Sequence, residues 1–155
     1  MNKMFLPSAK VIIRHRQDKE LILLIKRNVH GVITYEPAGG RVEINYDTLT
    51  AENLEECAIR EVKEEVGVFI SIDSYLASYS FFWPHDLTKC SLYSVFVGTF
   101  LENDPTFTGN GDNDDWPIEP VWVRYKDILS KKFILNPAHK GLEEIVFKYL
   151  NNCYF

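Results

Sequence analysis

Three glutamates, Glu61, Glu64 and Glu65, follow Arg60 within the segment Arg60-Glu61-Val62-Lys63-Glu64-Glu65-Val66-Gly67-Val68. On a helix, at about 100° per residue, they share one arc beside the apolar positions Ala58, Val62 and Val66. Like charges at i, i+3 and i+4 repel, so this cluster is unfavourable until a cation or strong donors compensate it. Hard divalent ions such as Mg²⁺ bind several oxygens, which these carboxylates can provide. Arg60, four residues before Glu64, can hold that carboxylate by a charge-assisted pair. Taken alone, a glutamate-rich helix face is most often simply solvated.

The elements that must position this cluster can be read from the surrounding pattern. Leu54, Ala58, Val62 and Val66 recur every four residues and predict a helix from about Glu52 to Val66, with Thr50 as N-cap and Gly67 as the stop. Before it, Ala9 to Arg16 and Glu20 to Lys26 read as a β-hairpin or adjacent strands, and Pro37, Gly39 and Gly40 break the pattern into a loop. After it, strands are predicted near Phe69 to Ile72, Tyr75 to Phe82, Leu92 to Leu101 and Pro120 to Val123. Asn103 to Pro117 is turn-rich and acidic, a mobile-loop candidate. Asn136-Pro137 reads as the N-cap and first turn of a closing amphipathic helix carrying Leu142, Ile145, Val146, Tyr149 and Leu150. Mixed strands with two principal helices make an α/β layered architecture, and 155 residues suit a single domain over 1–155.

The longer pattern is more specific than the glutamates. Glu52 is followed by seven residues, then Arg60-Glu61, an aliphatic, one residue, Glu64-Glu65, one residue, Gly67 and the aliphatic Val68, with Pro37-Ala38-Gly39-Gly40-Arg41-Val42-Glu43 ahead of it. This closely resembles the Nudix box, whose pattern is a Gly, five residues, a Glu, seven residues, Arg-Glu, an aliphatic, any residue, Glu-Glu, any residue, Gly and an aliphatic. One departure is present: eleven residues, rather than five, separate Gly40 from Glu52, an insertion around 44–50. The resemblance implies a Nudix-like α/β/α sandwich with a mixed central sheet and metal-dependent hydrolysis of a pyrophosphate bond. It also implies that Glu61, Glu64 and Glu65, with the Gly40 carbonyl, bind Mg²⁺ or Mn²⁺, that Arg60 orients the cluster, and that Glu52 supports it.

For such chemistry Glu61 or Glu64 is a candidate general base, alongside Asp112, Asp114, Asp115 or Glu119 from the acidic loop or its exit. Lys26, Arg27 and Arg41, with Arg14 a weaker choice, are candidates to contact phosphate. In Tyr79-Ser80-Phe81-Phe82-Trp83 the alternating aromatics read mostly as core, with Trp83 the candidate to stack on a base. His85 and His139 read as ordinary surface or satisfied hydrogen-bonding residues. Pro84, sixteen residues beyond Val68, is similar to a feature of ADP-ribose-cleaving family members. The expected substrate is a nucleoside diphosphate linked to another moiety, of ADP-ribose or nucleotide-sugar type, or a (deoxy)nucleoside triphosphate. The alternative is a non-catalytic Nudix-like module that senses a nucleotide.

A net charge of −5 argues against binding a nucleic acid polymer by bulk attraction and points to a small-molecule nucleotide. Three cysteines, Cys57, Cys90 and Cys153, form neither a CxxC pair nor an even set, which suits a reducing cytoplasm. The apolar runs are strand-length, so no membrane span is expected. A homodimer is left open.

Overall fold

The computed structural model describes residues 2–103, 105–108 and 118–153. Strands β1 (Met4–Arg14), β2 (Leu21–Val29), β3 (Val32–Glu36), β4 (Ala38–Arg41), β5 (Ile44–Asn45) and β6 (Thr50–Ala51) precede helix α1 (Leu54–Val66). Strands β7 (Ile70–Trp83), β8 (Asp86–Phe100) and β9 (Ile118–Arg124) follow, then helices α2 (Tyr125–Leu129) and α3 (Leu142–Cys153).

The main sheet is mixed. Strand β1 runs parallel to β8 and antiparallel to β2 and β4, and β7 forms the edge beyond β8. Strands β1 and β2 meet only at Ile13↔Leu23 and Arg14↔Ile22 and then diverge. Into the gap run β3, which pairs with β2, and β4, which pairs with β1. The chain crosses from one to the other at Pro37, a residue that lacks the N–H a central strand would need. The predicted loop at 37–40 is therefore a strand, because Ala38 to Arg41 find a ladder partner in Ser8 to Val11.

Alternation along β1 divides the core into two layers. Ala9, Val11 and Ile13 face α1 with Leu23, Ile25, Ala58, Val62 and Val66. Ile12 faces α2 and α3 with Leu24, Ile128, Leu142, Val146 and Leu150. The result is the expected α/β/α sandwich.

Helix α1 begins two residues later than predicted. Asn53, rather than Thr50, is the N-cap, and a reciprocal capping box joins it to Glu56. Thr50 instead belongs to β6. Gly67 ends the helix in the left-handed conformation, φ 84°. Helix α3 starts later than Asn136-Pro137, whose segment forms a turn in which Ala138 N–H donates to Asn136 Oδ1 at 3.1 Å. Most of the segment 103–117, with Asp112, Asp114 and Asp115, lies outside the described residues. No helix among the described residues is long and apolar enough to cross a membrane.

The insertion folds on itself. Strands β5 and β6 make a two-residue ladder, Asn45 Oδ1 accepts from the N–H groups of Asp47 and Thr48, and Tyr46 and Leu49 are exposed at the tip. At its base Glu52 N–H donates to Glu43 O at 3.1 Å, and Glu43 N–H donates to Glu52 Oε1 at 2.9 Å. The extra residues thus leave and return at one point, and Glu52 still reaches α1.

Candidate active site

Arg60 gathers the acidic residues of the box. Its Nε donates to Glu52 Oε2 at 3.0 Å and its Nη2 to Glu52 Oε1 at 2.6 Å, a two-pronged pair. Its Nη1 donates to Glu61 Oε1 at 3.1 Å and Glu64 Oε2 at 3.0 Å, and Nη2 also reaches Arg41 O at 2.8 Å. One guanidinium therefore supplies the cation that the glutamate cluster requires.

Glu61 lies against Gly40 so closely that a Cβ at position 40 would collide with its carboxylate. Gly39 is equally constrained, since a Cβ there would strike the backbone of Ala9. The Cys57 thiol, pushed up to about 12 by burial and by Glu52, stays neutral and donates to Gly40 O at 3.5 Å.

One helical turn beyond Glu61, Glu65 turns to different partners. Gly39 N–H donates to its Oε1 at 2.7 Å and Arg27 Nη2 to its Oε2 at 2.8 Å. Arg27 Nε also donates to Glu36. Burial, followed by repulsion from Glu65, pushes Glu61 up to about 7 although Arg60 opposes it. Burial also raises Glu65, with Arg27 and Lys10 offsetting part of that effect.

Behind Gly39 lies a buried polar layer that sequence reasoning missed. Lys10 Nζ donates to Glu36 Oε2 at 2.6 Å and to Pro37 O at 3.2 Å, and it stands 5.0 Å from the Tyr93 ring centroid. Burial would raise Glu36, but Lys10 and Arg27 outweigh it and hold the carboxyl at about 2. His139 Nδ1 is 2.9 Å from the Tyr79 hydroxyl, and its Nε2 is 3.5 Å from Glu36 Oε2. Burial and the Lys10 charge lower His139 to about 3, so its imidazole is neutral at pH 7. His139 is thus a satisfied, buried histidine. The available signal was Lys10 itself, a charge inside the strand Ala9-Lys10-Val11-Ile12-Ile13, which demands a buried counter-charge elsewhere.

A cleft of about 630 Å³ adjoins this layer, lined by Arg27, Gly39, Gly40, Arg41, Trp83 and His85 among others. It brings together three of the four predicted substrate contacts. Lys26 is the exception: successive strand residues point to opposite faces, and it pairs with Glu119 across β9 at 3.7 Å. Arg14 lies elsewhere, with its Nη2 3.5 Å from the Tyr149 hydroxyl. Trp83 is held by its indole N–H, which donates to Ser91 Oγ at 2.8 Å. Tyr79 and Phe81 are core as expected, whereas Phe82 is exposed.

Among the described residues, no three His, Cys, Asp or Glu side chains are grouped as they would be around a metal ion. Arg60 and Arg27 draw the box carboxylates to separate partners. The donor set nonetheless suits a hard divalent cation. Glu61 and Glu64 already converge on one cationic nitrogen beside Gly40, and burial with repulsion from Glu65 holds Glu61 well above the ordinary carboxylate range despite Arg60.

The NUDIX domain model matches residues 4–144, nearly the whole chain. The chain belongs to the NUDIX domain family. Among curated relatives, the NAD-capped RNA hydrolase NudC of Pseudomonas aeruginosa is 34% identical over 82 residues, covering 53% of this chain and 27% of that protein. The same enzyme from Stutzerimonas stutzeri is 35% identical over the same shares. This chain therefore matches only about a quarter of those relatives' length. Two solved structures share the Nudix fold. A NUDIX hydrolase from Nitrosomonas europaea gives a TM-score of 0.71 at 16% identity, covering 96% of this chain and 90% of that one. The MutT protein from Methanosarcina mazei gives 0.69 at 23% identity, covering 100% and 99%.

Proposed function

We propose that this Nudix chain is a metal-dependent hydrolase of the pyrophosphate bond in a nucleoside diphosphate linked to another moiety, or in a (deoxy)nucleoside triphosphate. One observation carries the reading: Gly39 and Gly40 belong both to the contacts of the box glutamates and to the wall of a cleft that holds Arg27, Arg41 and Trp83. Carboxylates suited to a cation and cations suited to phosphate thus meet at one backbone segment.

Mg²⁺ or Mn²⁺ held by Glu61, Glu64, Glu65 and the Gly40 carbonyl would neutralise the pyrophosphate and make a water acidic enough to attack at neutral pH. Arg27 and Arg41 attract and orient the phosphates, and Trp83 offers a ring face to the base. Arg60 fixes Glu61 and Glu64 through its pair with Glu52. Glu61 or Glu64 accepts the proton of the attacking water. The curated relatives named for NAD-capped RNA support including pyrophosphate-linked dinucleotides among the substrates to try. On this reading the partner is a small nucleotide in the cytoplasm.

The test is turnover with Mg²⁺ across ADP-ribose, nucleotide sugars, dinucleoside polyphosphates, NADH and (deoxy)nucleoside triphosphates, with Glu64→Gln alongside. Selective turnover lost in the variant supports the proposal. No turnover of any compound, with metal binding intact, would replace it with a nucleotide sensor.

A further inference from the structure

Lys10 is 1% exposed, and its side chain touches none of the box glutamates at 61 and 64. Its place is at one end of a chain of charge-assisted bonds. Lys10 donates to Glu36, Arg27 donates to both Glu36 and Glu65, and Gly39 N–H donates to Glu65. Two cations here balance two buried carboxylates; His139 against Glu36 is neutral, and burial raises the Tyr79 and Tyr93 hydroxyls, which keep their protons. Both cations line the cleft, but the Lys10 side chain is 1% exposed, with its Nζ turned to Glu36 and Pro37 O, whereas Arg27 is 25% exposed and is the one a ligand can reach. Without Lys10, Arg27 alone would face two carboxylates in a poorly screened interior, and the resulting net negative charge would oppose an incoming anion.

We propose that Lys10 is a positioning residue for the anionic ligand: by neutralising Glu36 from behind, it leaves Arg27 a single carboxylate, Glu65, to balance and keeps the group from repelling phosphate in the cleft. The inference rests on the reading of that cleft as a phosphate site. It makes Lys10 a determinant of ligand affinity through Glu36 and Arg27, with no contact of its own to ligand or metal.

The experiment compares wild type, Lys10→Met, Glu36→Gln and the double variant Lys10→Met/Glu36→Gln, titrating inorganic pyrophosphate by calorimetry. The amide introduced by Glu36→Gln retains an oxygen for Arg27 Nε, and the double variant removes both buried charges together, so it remains foldable where Lys10→Met is not. Pyrophosphate affinity is expected to fall about tenfold in Lys10→Met, to return within about twofold of wild type in the double variant, and to exceed wild type in Glu36→Gln. Wild-type affinity in Lys10→Met, or a double variant that binds at least fivefold more weakly than wild type, overturns the proposal. If wild type takes up no pyrophosphate, the phosphate reading of the cleft fails separately. The Arg27 Nε–H resonance in ¹⁵N-labelled protein then decides the linkage. A resonance displaced in Lys10→Met and restored in the double variant upholds it, and one unmoved in Lys10→Met removes it.

Discussion

Arg27 Nη2 and Glu65 Oε2 are joined at 2.8 Å, a bond that ties strand β2 to helix α1 across the segment containing Gly39. The same guanidinium holds Glu36, so Arg27 stands between two buried carboxylates. Removing it leaves Glu65 without its cation, and Glu36 with Lys10 alone. Arg27→Met is expected to cost about 3–5 kcal/mol of unfolding free energy, and Arg27→Lys roughly half of that, because a single ammonium cannot span both partners. Urea denaturation of the two variants measures this, and equal losses would show that the charge alone matters.

Gly40 predicts a separable effect. The Cβ of Gly40→Ala would displace the Glu61 carboxylate while leaving the buried ladder around it largely in place. Mn²⁺ affinity, read by electron paramagnetic resonance, is expected to fall at least tenfold, with a stability loss of only about 1–2 kcal/mol. Unchanged Mn²⁺ affinity would mean that Glu61 is not a ligand.

The pH dependence of the metal-free protein follows from Glu61. Its carboxyl is raised from an ordinary 4.5 to about 7, by burial first. Between those values the unfolded chain ionises while the folded site keeps its proton. Stability from this group is therefore full below 4.5, falls as pH rises to about 7, and is level beyond. Glu36 and His139 act in the opposite sense, losing stability as pH falls. The difference between wild type and Glu61→Gln isolates the effect: the variant gains in relative stability from pH 4.5 to about 7 in melts without metal. A constant difference over that range counts against the raised Glu61.

At the tip of the inserted hairpin, Leu49 is 87% exposed with φ 54°, a left-handed conformation that a branched apolar side chain occupies at a cost. Leu49→Asn is expected to raise stability by about 0.5–1 kcal/mol and to leave turnover unchanged. A fall in thermal midpoint would show that Leu49 is covered in solution.

What could be read in advance was whatever a local period or a fixed spacing encodes. The α1 stripe, the shared arc of Glu61 and Glu64 and the sandwich follow from the helix and strand periods or from the box, whereas Arg27, Arg41 and Trp83 were picked by residue type alone and meet in one cleft through the fold. Lys26 was misplaced because basic character was weighed without strand alternation. Glu65 could not be assigned to Arg27 and Gly39 from helical geometry, since its partners are 38 and 26 residues away. The Lys10–Glu36 pair, formed between β1 and β3, is hidden for the same reason. A sequence shows that a buried charge needs an opposite one; only the sheet register says which.

The mutual hydrogen bonds of Glu43 and Glu52 make the hairpin a closed side-branch of the backbone. Chain length between Gly40 and Glu52 is consequently decoupled from the distance between them, so evolution or an engineer can lengthen, trim or exchange that branch while the box keeps its shape. The hairpin is a natural port on this scaffold, a place where a reporter, an affinity tag or a recognition loop can be spliced within reach of the site.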